Sequence, residues 1–333
     1  MTATRVCGSL TALALAFAAF ATPQAWPLEG ERIVFGGATA DNVMSLYVTT
    51  PEGATFEPLT PHTPQHAMNE YPAWSHDGRT IAYSATPNWE PERLYLMDAD
   101  GSNVRPISDG PGDWVPTWSP HDDAIAFSSG RNGPQRSSVY VADLDTGAQT
   151  RLTTLNTVAS QPSWRPGGGA IAYVSDREGF SDLHIMDEQG RHLIQLTDTE
   201  TSDTTPTWHP REGLIAFASW DTVLEDGDVS GDIHTIRDDG SGERRVTDHP
   251  AWDYDPQWSP NGAQILFTSR RDGLPALFIT DPNGRKIQRV TDERFVQVWG
   301  SSWFDAKFPR SVSPIGRHAA TWGWLKRLRA SAP

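Results

Sequence analysis

Pro256-Gln257-Trp258-Ser259-Pro260-Asn261-Gly262-Ala263-Gln264-Ile265-Leu266-Phe267-Thr268-Ser269 is the stretch that decides the fold. A Ser-Pro-Asn-Gly tetrad is turn chemistry, and Ile-Leu-Phe-Thr after it is a short run of β-formers. Past a loop comes a second run, Leu277-Phe278-Ile279-Thr280, then Pro282-Asn283-Gly284 and a last short run ending Val290-Thr291. The unit predicts four short antiparallel strands joined by tight turns, an antiparallel meander of about 45 residues.

The same unit recurs along the chain. Pro72-Ala73-Trp74, Pro116-Thr117-Trp118, Pro162-Ser163-Trp164 and Pro206-Thr207-Trp208 open equivalent copies, and Ser301-Ser302-Trp303 is a sixth without its proline. These tryptophans lie 44, 46, 44, 50 and 45 residues apart. Second strands read Ile81-Ala82-Tyr83, Ile125-Ala126-Phe127, Ile171-Ala172-Tyr173 and Ile215-Ala216-Phe217. Turns at Gly101, Gly147, Gly190 and Gly240 match that at Gly284. One such sheet leaves a hydrophobic face uncovered, whereas blades packed face to face around an axis bury both faces. The fold expected is therefore all-β, a six-bladed β-propeller of four-stranded blades, with the recurring Trp between neighbouring blades. Five units are complete in sequence order. The sixth takes its first strand from around Val298 to Phe304 and its other three from Ile33-Val34-Phe35, Leu46-Tyr47-Val48 and Pro58-Leu59-Thr60. The two ends of the chain thus share one blade and close the ring.

Written as Pro-x-Trp-Ser-Pro-x-Gly, Ile-Ala-Phe, Leu-Tyr-x-Met-Asp, Asp-Gly, Leu-Thr, the pattern resembles the propeller repeat of the TolB family over about residues 31–305. It also resembles propellers of tricorn-type and prolyl-oligopeptidase-type proteases, so the resemblance specifies fold more than function. TolB proteins join the propeller to an N-terminal α/β domain and bind the peptidoglycan-associated lipoprotein. The resemblance therefore implies a cell-envelope binding protein. That α/β domain is not expected here, because the ring is entered about ten residues after the expected leader.

Residues 1–21 read as a signal peptide: Arg5, an apolar run from Leu10 to Phe20, and Ala19-Phe20-Ala21 as a small-x-small cleavage site. A buried N-terminal helix is the competing reading. No other segment is apolar enough to span a bilayer. Cys7 is the only cysteine and lies within that leader, so the exported chain has neither disulfide nor thiol chemistry. Of the 27 Lys and Arg, Arg5 falls in the leader and six follow Ala306, while none of the 42 Asp and Glu lies in either segment. Residues 22–306 therefore hold 20 basic and 42 acidic side chains, a net of −22. A body so acidic repels nucleic-acid phosphates, and nucleic acid is not an expected partner. Residues 307–333 form a basic tail, of which 317–329 is read as a short helix for a membrane or partner, a segment docked on the acidic ring, or a mobile end.

Any chemistry specific to this chain lies where the repeats differ. No Gly-x-Ser-x-Gly is present and only a short segment follows the ring, which argues against a hydrolase domain. The ten histidines are scattered without metal-ligand spacing. Three residues before each proline stand Asn69, Asp113, Ala159, Asp203 and Asp253, with Val298 in the last blade; repeat equivalence places them on one ring near the tunnel mouth. Glu70 and Asp255 add charge beside it. Such a ring suits a hard cation or a basic partner loop, and Asp at these positions also reads as a turn-closing residue. A second cluster, Asp226-Gly227-Asp228-Val229-Ser230-Gly231-Asp232, resembles the first half of a calcium loop, but Arg237 stands where the bidentate Glu belongs. Asp226, Asp228, Ser230 and Asp232 are the calcium candidates; a lengthened solvated hairpin is the other reading.

The function expected from these features is a periplasmic or secreted, non-catalytic scaffold of the cell envelope. It is expected to be a monomer, without obligate cofactor or transmembrane segment, binding a protein or peptide at one propeller face. The alternative is a propeller enzyme, of sugar lyase or hydrolase type, acting at the tunnel mouth.

Overall fold

The computed structural model describes residues 30–40, 44–60, 68–87, 90–133, 136–154, 158–177, 179–220 and 230–308. Each copy of the repeat forms a four-stranded antiparallel sheet, and the six sheets are the blades of a propeller. Blade 1 consists of Asn69–Trp74, Thr80–Ala85, Arg93–Asp98 and Arg105–Pro106 from the axis outward. Blades 2 to 5 begin at the axis with Asp113–Trp118, Val158–Trp164, Ser202–Trp208 and Asp253–Trp258. Blade 6 is shared by the two ends: Gln297–Asp305 is innermost and pairs with Glu31–Ala38, followed by Met44–Thr49 and Glu57–Pro58. The closing register runs from Glu31 opposite Asp305 to Ala38 opposite Gln297. Noncovalent closure by the chain ends, as expected, holds the ring.

The core lies between blades. Ala216, Ala218 and Ile233 of blade 4 pack on Tyr254, Trp258 and Phe267 of blade 5, and Val34, Leu46 and Val48 of blade 6 pack on Ile81 and Tyr83 of blade 1. The repeated Trp crosses this seam. Trp118 Nε1 donates to the Ala73 carbonyl at 2.9 Å and Trp208 Nε1 to the Ser163 carbonyl at 3.0 Å, each in the preceding blade. An indole supplies a large apolar area and one polar handle, which suits a position that must both fill space and bond a neighbouring sheet.

The Leu-Thr ending of each unit has an equally local reason. The hydroxyls of Thr60, Ser108, Thr153, Thr197, Thr247 and Thr291 accept the N–H of Leu46, Leu94, Val139, Leu183, Ile233 and Leu277, at 2.9–3.0 Å. The preceding residue in each case, such as Val290, donates its own N–H to the carbonyl of that same third-strand residue. Two bonds thus hold the end of every outermost strand to the start of the third. Gly284, at φ +73°, shows why the turn between them is glycine: a Cβ there would run into the Val246 carbonyl of the preceding blade.

Every innermost strand carries a β-bulge just before its Pro-x-Trp, as between Glu70 and Ala73, Trp114 and Thr117, or Tyr254 and Gln257. The residue preceding the proline adopts a left-handed backbone, Tyr71, Val115, Gln161, Thr205 and Asp255 at φ 50–52°, as does Gly300 before Ser301 in blade 6, at φ 60°. A residue before proline ordinarily avoids helical backbone, and β-branched Val115 and Thr205 are strained there at about 1–3 kcal/mol each. Bulges re-aim side chains, and five of these six positions aim theirs at the tunnel, while Gly300 presents bare backbone.

Candidate functional site

The tunnel cavity, of about 110 Å³, is lined by Tyr71, Val115, Gln161, Thr205, Asp255 and Gly300, and below them by the prolines and the residues that follow. Six equivalent positions carry an aromatic ring, a branched alkyl, an amide, a hydroxyl, a carboxylate and a bare backbone. Around blades 3 and 4 the backbone N–H groups of the wall find partners, while the Thr205 hydroxyl has none. The Gln161 amide oxygen accepts the Thr205 N–H at 2.9 Å, and the Gln161 N–H is bound by Ser128 Oγ at 2.8 Å.

Blades 5, 6 and 1 are different. Asp255 lines the tunnel and accepts a bond from the Gly300 N–H of blade 6; burial nevertheless pushes its carboxyl up to about 6. Gly300 is required at that point, since a Cβ would lie 2.7 Å from Tyr71 Cα. Ser301, which replaces the proline of the other blades, is buried, faces the same cavity, and its hydroxyl has no partner. The Tyr71 hydroxyl is held well above the usual phenol range by burial and by Asp255, Glu70, Glu92 and Tyr254. Glu92, from the loop before the third strand of blade 1, is pushed up to about 7, first by burial and then by Glu70 and Asp113, with the Ser84 hydroxyl opposing. Burial also raises Glu70. Three partly desolvated carboxylates therefore stand around one tyrosine. Aromatic rings continue this arc: Trp252 lies 4.4 Å from Tyr254 and Trp299 6.5 Å from it, centroid to centroid.

The residues placed on one ring by repeat equivalence lie just above the bulge, where their side chains turn into the blades. Asp113 is fully buried, bonded by Ser129 Oγ and by Arg131 Nη2 at 2.8 Å. Arg131 also stacks 4.5 Å from the Tyr140 ring. Blade 5 repeats the device: Arg271 Nη2 meets Asp253 at 2.8 Å, and burial raises the Asp253 carboxyl against these bonds. Asp203, opposite Ser219, is buried, with its carboxyl raised by that burial. Asn69 Nδ2 donates to the Met44 carbonyl of blade 6 at 3.1 Å. None of these four lines the tunnel cavity; of the residues singled out by sequence, Asp255 does. The tunnel set was legible as the residue before each proline. The Asp–Ser–Arg lock was legible in Ser129-Gly130-Arg131 and Ser269-Arg270-Arg271, which recur in blades that begin with Asp.

Of the calcium candidates, Asp226 and Asp228 lie outside the described residues. Ser230 precedes the third strand of blade 4. Asp232 is buried within that strand and holds Arg245 at 2.5 Å, Thr247 Oγ1 at 3.1 Å and the His249 N–H at 3.2 Å. Among the described residues, no three His, Cys, Asp or Glu side chains come together in a manner suited to a metal ion. Among them too, no helix is long and apolar enough to cross a membrane.

Fold and tunnel together define a six-bladed propeller with an asymmetrically lined axis. Part of the chain also matches a known family. The family described as TolB beta propeller domain matches residues 85–222. The "Tol-Pal system protein TolB" of Gluconobacter oxydans (strain 621H) is 34% identical over 122 residues, 36% of this chain and 26% of that protein. Among solved structures, TolB from Acinetobacter baumannii superposes with a TM-score of 0.70 at 20% identity, covering 82% of this chain and 66% of that one. A putative TolB from Agrobacterium tumefaciens gives 0.61 at 20% identity, covering 80% and 91%. The chain carries a TolB-like β-propeller. Its match spans about a quarter of the Gluconobacter protein's length.

Proposed function

We propose that this protein is an extracytoplasmic, non-catalytic propeller of the cell envelope that recognises a protein or peptide at the tunnel mouth formed by blades 5, 6, 1 and 2. The observation that carries the reading is the asymmetry of the ring. Interblade Trp, Leu-Thr clamps and turn glycines repeat because packing demands them, whereas the six tunnel-facing residues at the bulge differ in every blade. Differentiation against a repeated background is the mark of recognition, and half-buried aromatic rings beside charge are typical anchors for it. Trp114, half-buried on blade 2, extends the aromatic arc that Trp252, Tyr254 and Trp299 begin. The TolB-like repeat supports an envelope setting, and the leader read in residues 1–21 supports export.

Affinity capture from envelope extract tests this, using the full chain, Trp299→Ala and Trp252→Ala, with Leu193→Ser as a control on the outer rim, where Leu193 is exposed. The expected result is a partner retained by the full chain and the control and depleted by both mouth variants. Equal capture by all four proteins would count against a mouth-centred interface.

A further inference from the structure

Asp255, Glu70 and Glu92 pose an electrostatic problem that the chain does not solve for itself. Asp113, Asp253 and Asp232 are buried acids too, and each has an arginine. Among the described residues, no ion pair reaches Asp255, Glu70 or Glu92: Arg93, next to Glu92, pairs with Glu90 at 3.9 Å, and Arg270 lies over the Trp252 ring at 6.0 Å. Acids held from water without a counter-charge weaken the fold unless a cation completes them.

A second observation points to the same place. Ser301 is 5% exposed, its hydroxyl has no partner, and it lines the cavity that Tyr71 and Asp255 line. The blade that lost its proline has thus gained an open hydrogen-bonding group there. Tyr71 offers an aromatic edge beside Asp255. Carboxylate, hydroxyl and aromatic ring together are the partners of an organic cation, which donates to oxygen and packs its carbon stem on a ring. A cavity of about 110 Å³ accommodates one side-chain head group with a few waters.

We propose that the tunnel mouth at blades 5, 6 and 1 is a receptor for a single lysine or arginine side chain of the partner, with Asp255 as its direct counter-ion, Glu70 and Glu92 as rim charges, and Ser301 and Tyr71 as its hydrogen-bonding and aromatic walls. The inference rests on the peptide-binding reading and narrows it to the chemistry of one anchor. An anchoring cation explains why this rim is acidic where the Gln161 side is neutral.

The test is a peptide array of randomised nonapeptides with a fixed central residue, probed with the labelled full chain. Central residues are Lys, Arg, acetyl-lysine, Gln and Glu; parallel probes are Asp255→Asn, Glu92→Gln and Ser160→Ala, the last on the opposite rim. Thermal melts verify that each variant is folded. Lys and Arg peptides are expected to bind on the order of tenfold more tightly than Gln or acetyl-lysine peptides. Asp255→Asn should erase that preference, Glu92→Gln should reduce it, and Ser160→Ala should leave it intact. Binding indifferent to the central charge, or a preference surviving in Asp255→Asn, overturns the cationic anchor while leaving a peptide-binding propeller standing. If no peptide binds but n-butylammonium chloride raises the melting temperature of the full chain and not of Asp255→Asn, the cation pocket is upheld and the peptide reading fails. Absence of both effects overturns the proposal.

Discussion

Asp113 and Asp255 sit two positions apart in equivalent strands, and the bulge between those positions sends one side chain into its blade and the other into the tunnel. Asp113 is locked by Arg131 and Ser129. Asp113→Ala strands a largely buried guanidinium and is expected to cost about 3–5 kcal/mol in urea unfolding. Asp255→Asn should behave in the opposite sense at neutral pH, because it removes an unpaired charge while an amide oxygen can still accept the Gly300 N–H. The pH dependence follows from Asp255 and Glu92, whose folded values of about 6 and about 7 lie above those of an unfolded chain. Groups raised in this way stabilise the fold fully below the ordinary carboxylate range, and that contribution is lost as pH rises through about 6 and about 7. Urea unfolding should therefore show stability falling between about pH 4 and pH 8, with burial first and then Glu70 and Asp113 setting the shift on Glu92 against the Ser84 hydroxyl. The double variant Asp255→Asn, Glu92→Gln should flatten this slope; an unchanged slope would count against the unpaired carboxylates as its source.

At the scale of the strand and its turns, one clamp is built six times. Thr291→Val removes the acceptor for the buried Leu277 N–H while keeping shape, and should cost about 1–3 kcal/mol. Trp258→Ala, at the seam of blades 4 and 5, empties a site that is 1% exposed and should cost about 3–5 kcal/mol in the same assay. These are also the elements most legible from sequence. Pro-x-Trp, Ile-Ala-Phe, turn glycine and Leu-Thr recur because identical packing problems recur, so their spacing carries blade count, strand order and closure. The direction of Asp113, Asp203 and Asp253 was not legible in the same way, because it depends on a left-handed bulge that the preceding residue and proline do not announce. Proline by itself argues for extended backbone before it. The pairing of those acids with Ser129, Ser219 and Ser269 sixteen residues on is the trace that the sequence does hold.

For the whole molecule, closure by the two ends makes every seam depend on one noncovalent pairing. Val34 is fully buried between blades 6 and 1, and Val34→Lys should lower the melting temperature of the entire ring as a single calorimetric transition; an early, separate transition would mean that blade 6 melts by itself. The ring so closed holds an axis with a neutral side at blades 3 and 4 and an acidic, aromatic side at blades 5, 6 and 1. The central claim is that the second side meets a partner. The most direct measurement is photo-crosslinking in the source cells with benzoyl-phenylalanine placed at Trp299, at Ser160, or at Val104 on the outer rim. The account predicts a discrete protein adduct from position 299 that disappears when Asp255→Asn is added, with none from 104 and a weaker one from 160. Adducts from 104 alone, or an adduct at 299 indifferent to Asp255, would contradict it.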